Sequence, residues 1–142
     1  MAHKAQRVEY FYATVSGEAG EAYELLTSLA DLGVNFLAFT SAHLGPRSIQ
    51  LTLFPEDPAM LKRVAGAAGL ALDGPHPAVL VQGEDRVGAL ARIHQLLRRG
   101  GVEVYASTAV TDGRGYFGYV LHMRPQDAGR AERALAEEPV AA

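Results

Sequence analysis

Apolar and polar positions recur along the chain in a pattern that is written twice. Residues 8–15 (VEYFYATV) read as a strand with apolar side chains on both faces. Residues 16–20 form a loop. Residues 21–32 form a helix, because Ala22, Leu25, Leu26 and Leu29 fall three and four apart. Gly33 stops that helix as a C-terminal cap. A second strand at 34–43, a turn at 44–47 and a third strand at 48–54 follow. In the third strand Ile49, Leu51 and Leu53 alternate with Gln50 and Thr52. Asp57 is placed as N-cap and Pro58 as first residue of a helix reaching about Ala68. Gly69 ends it, and 70–72 reads as a short fourth strand. The order is βαββαβ.

A linker at 73–77 precedes the second copy. Its elements are a strand at 78–82, a glycine-flanked loop, a helix at 89–99 capped by Gly100 and Gly101, a strand at 102–110, a turn at 111–115, a strand at 116–123 and a helix at 126–137. Setting Gly33 on Gly101 gives an offset of 68 residues. At that offset Gly20 meets Gly88, Leu29 meets Leu97, Val34 meets Val102, Gly45 meets Gly113 and Leu53 meets Leu121. The shared glycines are punctuation marks of structure, so the match reads as an internal duplication. The second copy lacks a clear fourth strand unless residues 139–142 supply it.

Two βαββαβ repeats, 1–73 and 77–142, imply an α+β chain of two ferredoxin-like units, each an antiparallel sheet with helices on one face. Tyr10, Tyr12, Phe36, Phe39, Tyr105, Phe117 and Tyr119 leave apolar side chains for both sheet faces. An uncovered apolar face of that size calls for a partner, and a homodimer is the expectation.

Composition narrows the chemistry. The 49% apolar content permits a real core. The absence of cysteine removes disulfides, thiolate metal sites and cysteine nucleophiles. His3, His43, His76, His94 and His122 show no pairing at metal-ligand spacing, so neither a metal nor a cofactor is expected. The net charge of −3 and scattered basic residues argue against nucleic acid. No apolar run resembles a signal peptide or a membrane span, so a cytoplasmic protein is expected.

The candidate site is the run Gly83-Glu84-Asp85-Arg86-Val87-Gly88, between a buried strand and an amphipathic helix. With Ala89-Leu-Ala-Arg-Ile and then Gly101-Val-Glu-Val104, it resembles an ACT domain, whose members carry Asp-Arg-Pro-Gly before Leu-Leu-Ala-Arg-Ile and a helix ending Gly-Val-Asn-Ile. Val87 stands where proline is common, and Glu103-Val104 replace Asn-Ile. The first copy has no Asp-Arg in its loop but keeps Gly33-Val34-Asn35-Phe36. The resemblance covers residues 8–137 and implies a free-standing tandem ACT protein. Such modules bind small ligands, most often amino acids, between paired domains and signal to an enzyme or transporter.

The resemblance therefore implies a composite site: Gly83 to Gly88 with Asn35 and Phe36. Backbone N–H groups of Arg86, Val87 and Gly88 would meet a carboxylate, Asp85 an ammonium, and the Asn35 amide could donate and accept. Val87 and Phe36 would select the ligand side chain. The reciprocal set, Ser16 to Gly20 with Glu103 and Val104, is degenerate. Plainer readings stand beside these: Asp85 as a helix N-cap, Arg86 and Arg92 as solvated surface, Asn35 in a local turn bond, and Gly20 and Gly88 as turn formers. Two other functions compete. One is a ligand-free protein-interaction module. The other is an acylphosphatase-like hydrolase using Arg86 and Asn35, for which no nucleophile and base are in evidence. An enzyme is not expected.

Overall fold

The computed structural model describes residues 3–18 and 20–136. The chain divides into two compact units, Glu9–His76 and Met1–Val8 together with Pro77–Ala142. The elements are β1 (His3–Ser16), α1 (Glu21–Asp31), β2 (Phe36–His43), β3 (Ser48–Pro55), α2 (Pro58–Val64), β4 (Asp73–Glu84), α3 (Ala89–Arg99), β5 (Val104–Thr111), β6 (Tyr116–Met123), a 3₁₀ turn at Pro125–Asp127, and α4 (Ala128–Ala136). Strands β1 and β4 are each divided between the units.

In the Glu9–His76 unit, β3 runs antiparallel between β1 and β2, with Phe11 and Phe39 both opposite Leu53. Side chains alternate across a strand, so Phe11, Ala13, Leu51 and Leu53 point to one face. That face packs on Leu25 and Leu29 of α1 and on Leu61 of α2. The other face carries Tyr10, whose ring lies 5.0 Å from Phe54 and 5.3 Å from His76. In the second unit β6 runs antiparallel between β4 and β5. Val79, Val81, Phe117, Tyr119, Leu121 and Met123 pack on Ile93, Leu96 and Leu97 of α3 and on Ala131 and Leu135 of α4. Each unit thus has helices on one sheet face and an antiparallel sheet behind them. Fully burying each such side chain favours the fold by about 1.5–3 kcal/mol.

The 68-residue repeat holds down to single hydrogen bonds. Gly17 N donates to Arg47 O at 2.8 Å and Asp85 N to Gly115 O at 2.9 Å. Val34 N reaches Leu29 O, and Val102 N reaches Leu97 O, both at 2.9 Å. Both second strands carry an irregularity at the same place, between Phe36 and Ala38 and between Val104 and Ala106. Gly20 and Gly88 share a φ of 88° and 87°.

Several boundaries differ from the sequence reading. Helix α2 stops at Val64, short of Ala68, because Gly66 and Gly69 break the next turns; Leu70 N then closes on Ala65 O at 2.9 Å. That closure holds Leu70 in the core, so 70–72 forms no strand. The strand starts instead at Asp73, inside the stretch read as a linker. Strand β1 begins at His3, well before Val8. Those early residues belong to the second unit, where Ala5 packs on its core and His3 Nε2 lies 2.9 Å from Leu135 O. Residues 139–142, considered for a fourth strand, lie outside the described residues.

Candidate functional site

Strand β4 ends at Glu84 and α3 begins at Ala89, so the loop is only four residues long. Its fixed points are two backbone hydrogen bonds, Asp85 N to Gly115 O and Ala89 N to Arg86 O at 3.0 Å. Gly88 is the N-cap and sits in the left-handed region at φ 87°. A Cβ there would meet nothing within 4 Å, so glycine is required by the backbone and not by crowding. Between the fixed points, the N–H groups of Arg86, Val87 and Gly88 donate no intramolecular hydrogen bond among the described residues. They stand at the positive end of an 11-residue helix, where unpaired donors and the helix dipole favour an anion.

The side chains are less converged than the backbone. Asp85 is not the cap, and its exposed carboxylate accepts no hydrogen bond among the described residues. Arg86 reaches Glu84 Oε2 with Nε at 2.7 Å and Nη2 at 2.6 Å. Both side chains are largely solvated, which makes that pair worth no more than about 1 kcal/mol. Val87 is fully exposed and offers its side chain to no neighbour. Gly83 and Glu84 line a cleft of about 670 Å³ with Lys4, Asp112, Tyr116 and Gly118. Asp85 to Gly88 do not line it.

The corresponding loop of the first repeat is engaged differently at its start. Glu21 accepts from Ser16 N at 2.8 Å with Oε1 and from the Ser16 hydroxyl with Oε2. Glu18 N in turn donates to Ser16 Oγ at 3.4 Å. The Glu21 carboxylate thus engages Ser16, the last residue of β1, and Glu18 N is turned to the Ser16 hydroxyl. The position of Glu21 is Ala89 in the second repeat, which is buried and has no anion to offer.

Asn35 and Phe36 belong to the Glu9–His76 unit, and Gly83 to Gly88 to the other. The Asn35 side chain is exposed and donates from Nδ2 to Glu56 Oε2 at 3.1 Å, while the Asn35 backbone carbonyl accepts from Glu56 N at 2.9 Å. Phe36 packs partly on the core, its ring 6.2 Å from Phe39. In the second unit, Glu103 and Val104 line a cleft of about 390 Å³ with His94 and Arg98.

A polar chain that sequence reasoning missed lies beside that second cleft. His94 Nε2 is 2.6 Å from the buried Tyr119 hydroxyl, which donates to Ser107 Oγ at 3.0 Å. One repeat earlier the same three positions are Leu26, Leu51 and Phe39. That switch from three apolar to three polar residues was the available signal, and a tyrosine assigned to sheet packing concealed it. On the sheet face away from the helices, His122 lies across from Ala106, and its ring is 6.2 Å from Tyr105. Burial pushes the His122 imidazole below its ordinary pKa.

No protein-family model and no curated protein matches the sequence. Solved structures do match. A Bacteroides thetaiotaomicron protein is 19% identical with a TM-score of 0.79, over 94% of this chain and 90% of that one. The regulatory subunit of aspartate kinase from Thermus thermophilus, in its ligand-free form, is 15% identical with a TM-score of 0.60, over 96% of each chain. That from Thermus flavus is 15% identical with a TM-score of 0.56, again over 96% of each. The fold is accordingly ACT-like, and these likenesses establish the fold alone.

Proposed function

We propose that this chain is a non-catalytic regulatory protein that binds a small amphoteric molecule, an amino acid, through the second-repeat loop Gly83 to Gly88. The observation that carries the reading is the contrast between equivalent loops. One leaves the N–H groups of Arg86, Val87 and Gly88 without a partner among the described residues, at a helix start and beside the carboxylate of Asp85, and the other has Gly17 at the Asp85 position and turns Glu18 N to the Ser16 hydroxyl. The three N–H groups hold the ligand carboxylate, and Asp85, whose own carboxylate accepts no hydrogen bond among the described residues, takes its ammonium. Val87 contributes an apolar surface for the ligand side chain.

Asn35 and Phe36 are the proposed second contributors. Recruiting the Asn35 amide means releasing Glu56, an exchange of one exposed hydrogen bond for another. Two further points are proposals of the same kind. The protein acts in the cytoplasm on an enzyme or transporter, and it does so as a homodimer. Leu37, Tyr105 and Val110 are large apolar side chains left exposed on the second strands of the repeats.

A thermal-shift panel of the twenty amino acids tests the central point. A ligand at 100 times its dissociation constant adds about 2.7 kcal/mol to the unfolding free energy. At least one amino acid is expected to raise the melting temperature, with the gain lost in Gly88→Ala. No shift with any amino acid at millimolar concentration would leave the loop a plain strand-to-helix turn. Turnover of an acyl phosphate that disappears in Arg86→Ala would replace this reading with a hydrolase.

A further inference from the structure

Charge is divided unequally between the units. Glu9–His76 holds eight acidic and three basic residues, a net −5. The other unit holds eight acidic and ten basic residues, a net +2. The excess gathers on the helix side. Helix α3 contains three arginines and no acid, whereas its counterpart α1 is acidic: Glu24 and Asp31 stand where α3 has Arg92 and Arg99. Residues seven apart lie on the same side of a helix, about 10 Å along it.

Helices α3 and α4 meet closely. A Cβ on Gly100 would lie 2.8 Å from Ala134 Cβ. Over this contact is a cleft of about 460 Å³, lined by Arg92, Arg99, Arg130 and Arg133 with Gly100 and Ala134. Arg130 is tethered, its Nη1 3.4 Å from Gly101 O and 3.5 Å from Asp127 Oδ1. Arg92 Nη1 donates to Gln95 at 2.6 Å. Arg99 and Arg133 make no ion pair among the described residues. A fifth guanidinium is at hand, since a Cβ on Gly129 would lie 3.4 Å from Arg133 Nη1 and 3.9 Å from Arg7 Nη1.

We propose that this four-arginine cleft between α3 and α4 binds a small molecule carrying two or more phosphate groups. Arg99 and Arg133 line the same hollow with no ion pair among the described residues, and their like charges repel one another. Planar guanidinium forks match the oxygens of phosphate in pairs, and a second phosphate uses the arginines that the first leaves over. The hollow is concave, its apolar lining is Leu96, Gly100 and Ala134, and it has room for a linked pair of phosphates. The site is separate in residues from the loop Gly83 to Gly88, so it gives this protein an input distinct from its proposed amino-acid ligand.

Titration calorimetry of the full chain with inorganic tripolyphosphate tests the proposal, with orthophosphate as the single-phosphate comparison. Tripolyphosphate is expected to bind in the micromolar range at low salt, at one per chain, and more than tenfold tighter than orthophosphate. Arg99→Gln combined with Arg133→Gln is expected to weaken it more than tenfold. Lys62→Gln combined with Arg63→Gln, which removes the basic pair of α2, is expected to leave it unchanged. Circular dichroism confirms that each variant is folded. No binding at millimolar tripolyphosphate, equal loss in both double variants, or tighter binding of an oligonucleotide than of tripolyphosphate would each overturn the proposal. Gly88→Ala leaves this binding intact, so failure here and failure of the amino-acid reading are told apart.

Discussion

Gly20→Ala and Gly88→Ala make a matched pair of perturbations. Both glycines are helix N-caps with φ near +88°. At neither would a new Cβ meet an atom within 4 Å. No clash contributes, so the cost is that of holding an L residue in the left-handed region, about 1–2 kcal/mol. For a chain of 142 residues this is a fall in melting temperature of roughly 3–8 °C, the same for both variants. Asparagine visits that region more readily, and Gly88→Asn is expected to recover about half of the loss. The assay is thermal denaturation of the three variants beside the wild type, followed by titration with the amino acid selected by the panel. Stability should treat the two positions alike and binding should not. Gly88→Ala moves the three N–H donors and weakens the ligand, whereas Gly20→Ala, outside the proposed site, leaves its affinity within twofold. A Gly88→Ala protein as stable as wild type would refute the backbone argument. Equal affinities in the two variants would refute the assignment of the loop.

Other perturbations probe separate parts of the account. Glu21→Ala removes the internal carboxylate from Ser16, and denaturant melts should show a loss of about 1 kcal/mol. Asp127 is 1% exposed and receives Arg124 Nε and Nη2 at 3.0 Å, so Asp127→Ala should lower stability by about 2–3 kcal/mol by removing charge-assisted hydrogen bonds at the start of α4. His122 carries a lowered pKa in the folded state, so protonation favours unfolding. Stability should hold above the unfolded-state pKa of about 6.5 and fall as the pH drops below it. His122→Phe, which places the first repeat's Phe54 side chain at this position, should flatten that part of the pH profile.

The repeat was legible because its markers are glycines and hydrophobic spacing. Gly33 and Gly101 end helices through the same hydrogen bonds, and no other residue type serves as well at their positive φ. The fourth strand of the first repeat was misplaced for an equally local reason. Leu70 looks like a strand residue, but the chain is still closing α2 there, and Pro75 and Pro77 disguised the real strand as a linker. The placement of His3–Val8 with the second unit depends on non-local pairing, which no short window contains. The loop Gly83 to Gly88 was legible as a turn with free donors, yet the N-cap is Gly88 and not Asp85, because the left-handed glycine starts the helix one residue before Ala89. Basic residues scattered along the sequence gather on one helix pair in the fold; Arg99 and Arg133 are 34 positions apart and line one cleft.

Amide chemical shifts test the central claim most directly. In a ¹⁵N–¹H titration with the amino acid that gives the largest thermal shift, the N–H signals of Arg86, Val87 and Gly88 should move and saturate together, at one ligand per chain. Those of Gly17, Glu18 and Gly20 should stay where they are. Saturating shifts elsewhere with Arg86, Val87 and Gly88 unmoved, or equal shifts in both loops, would contradict the account.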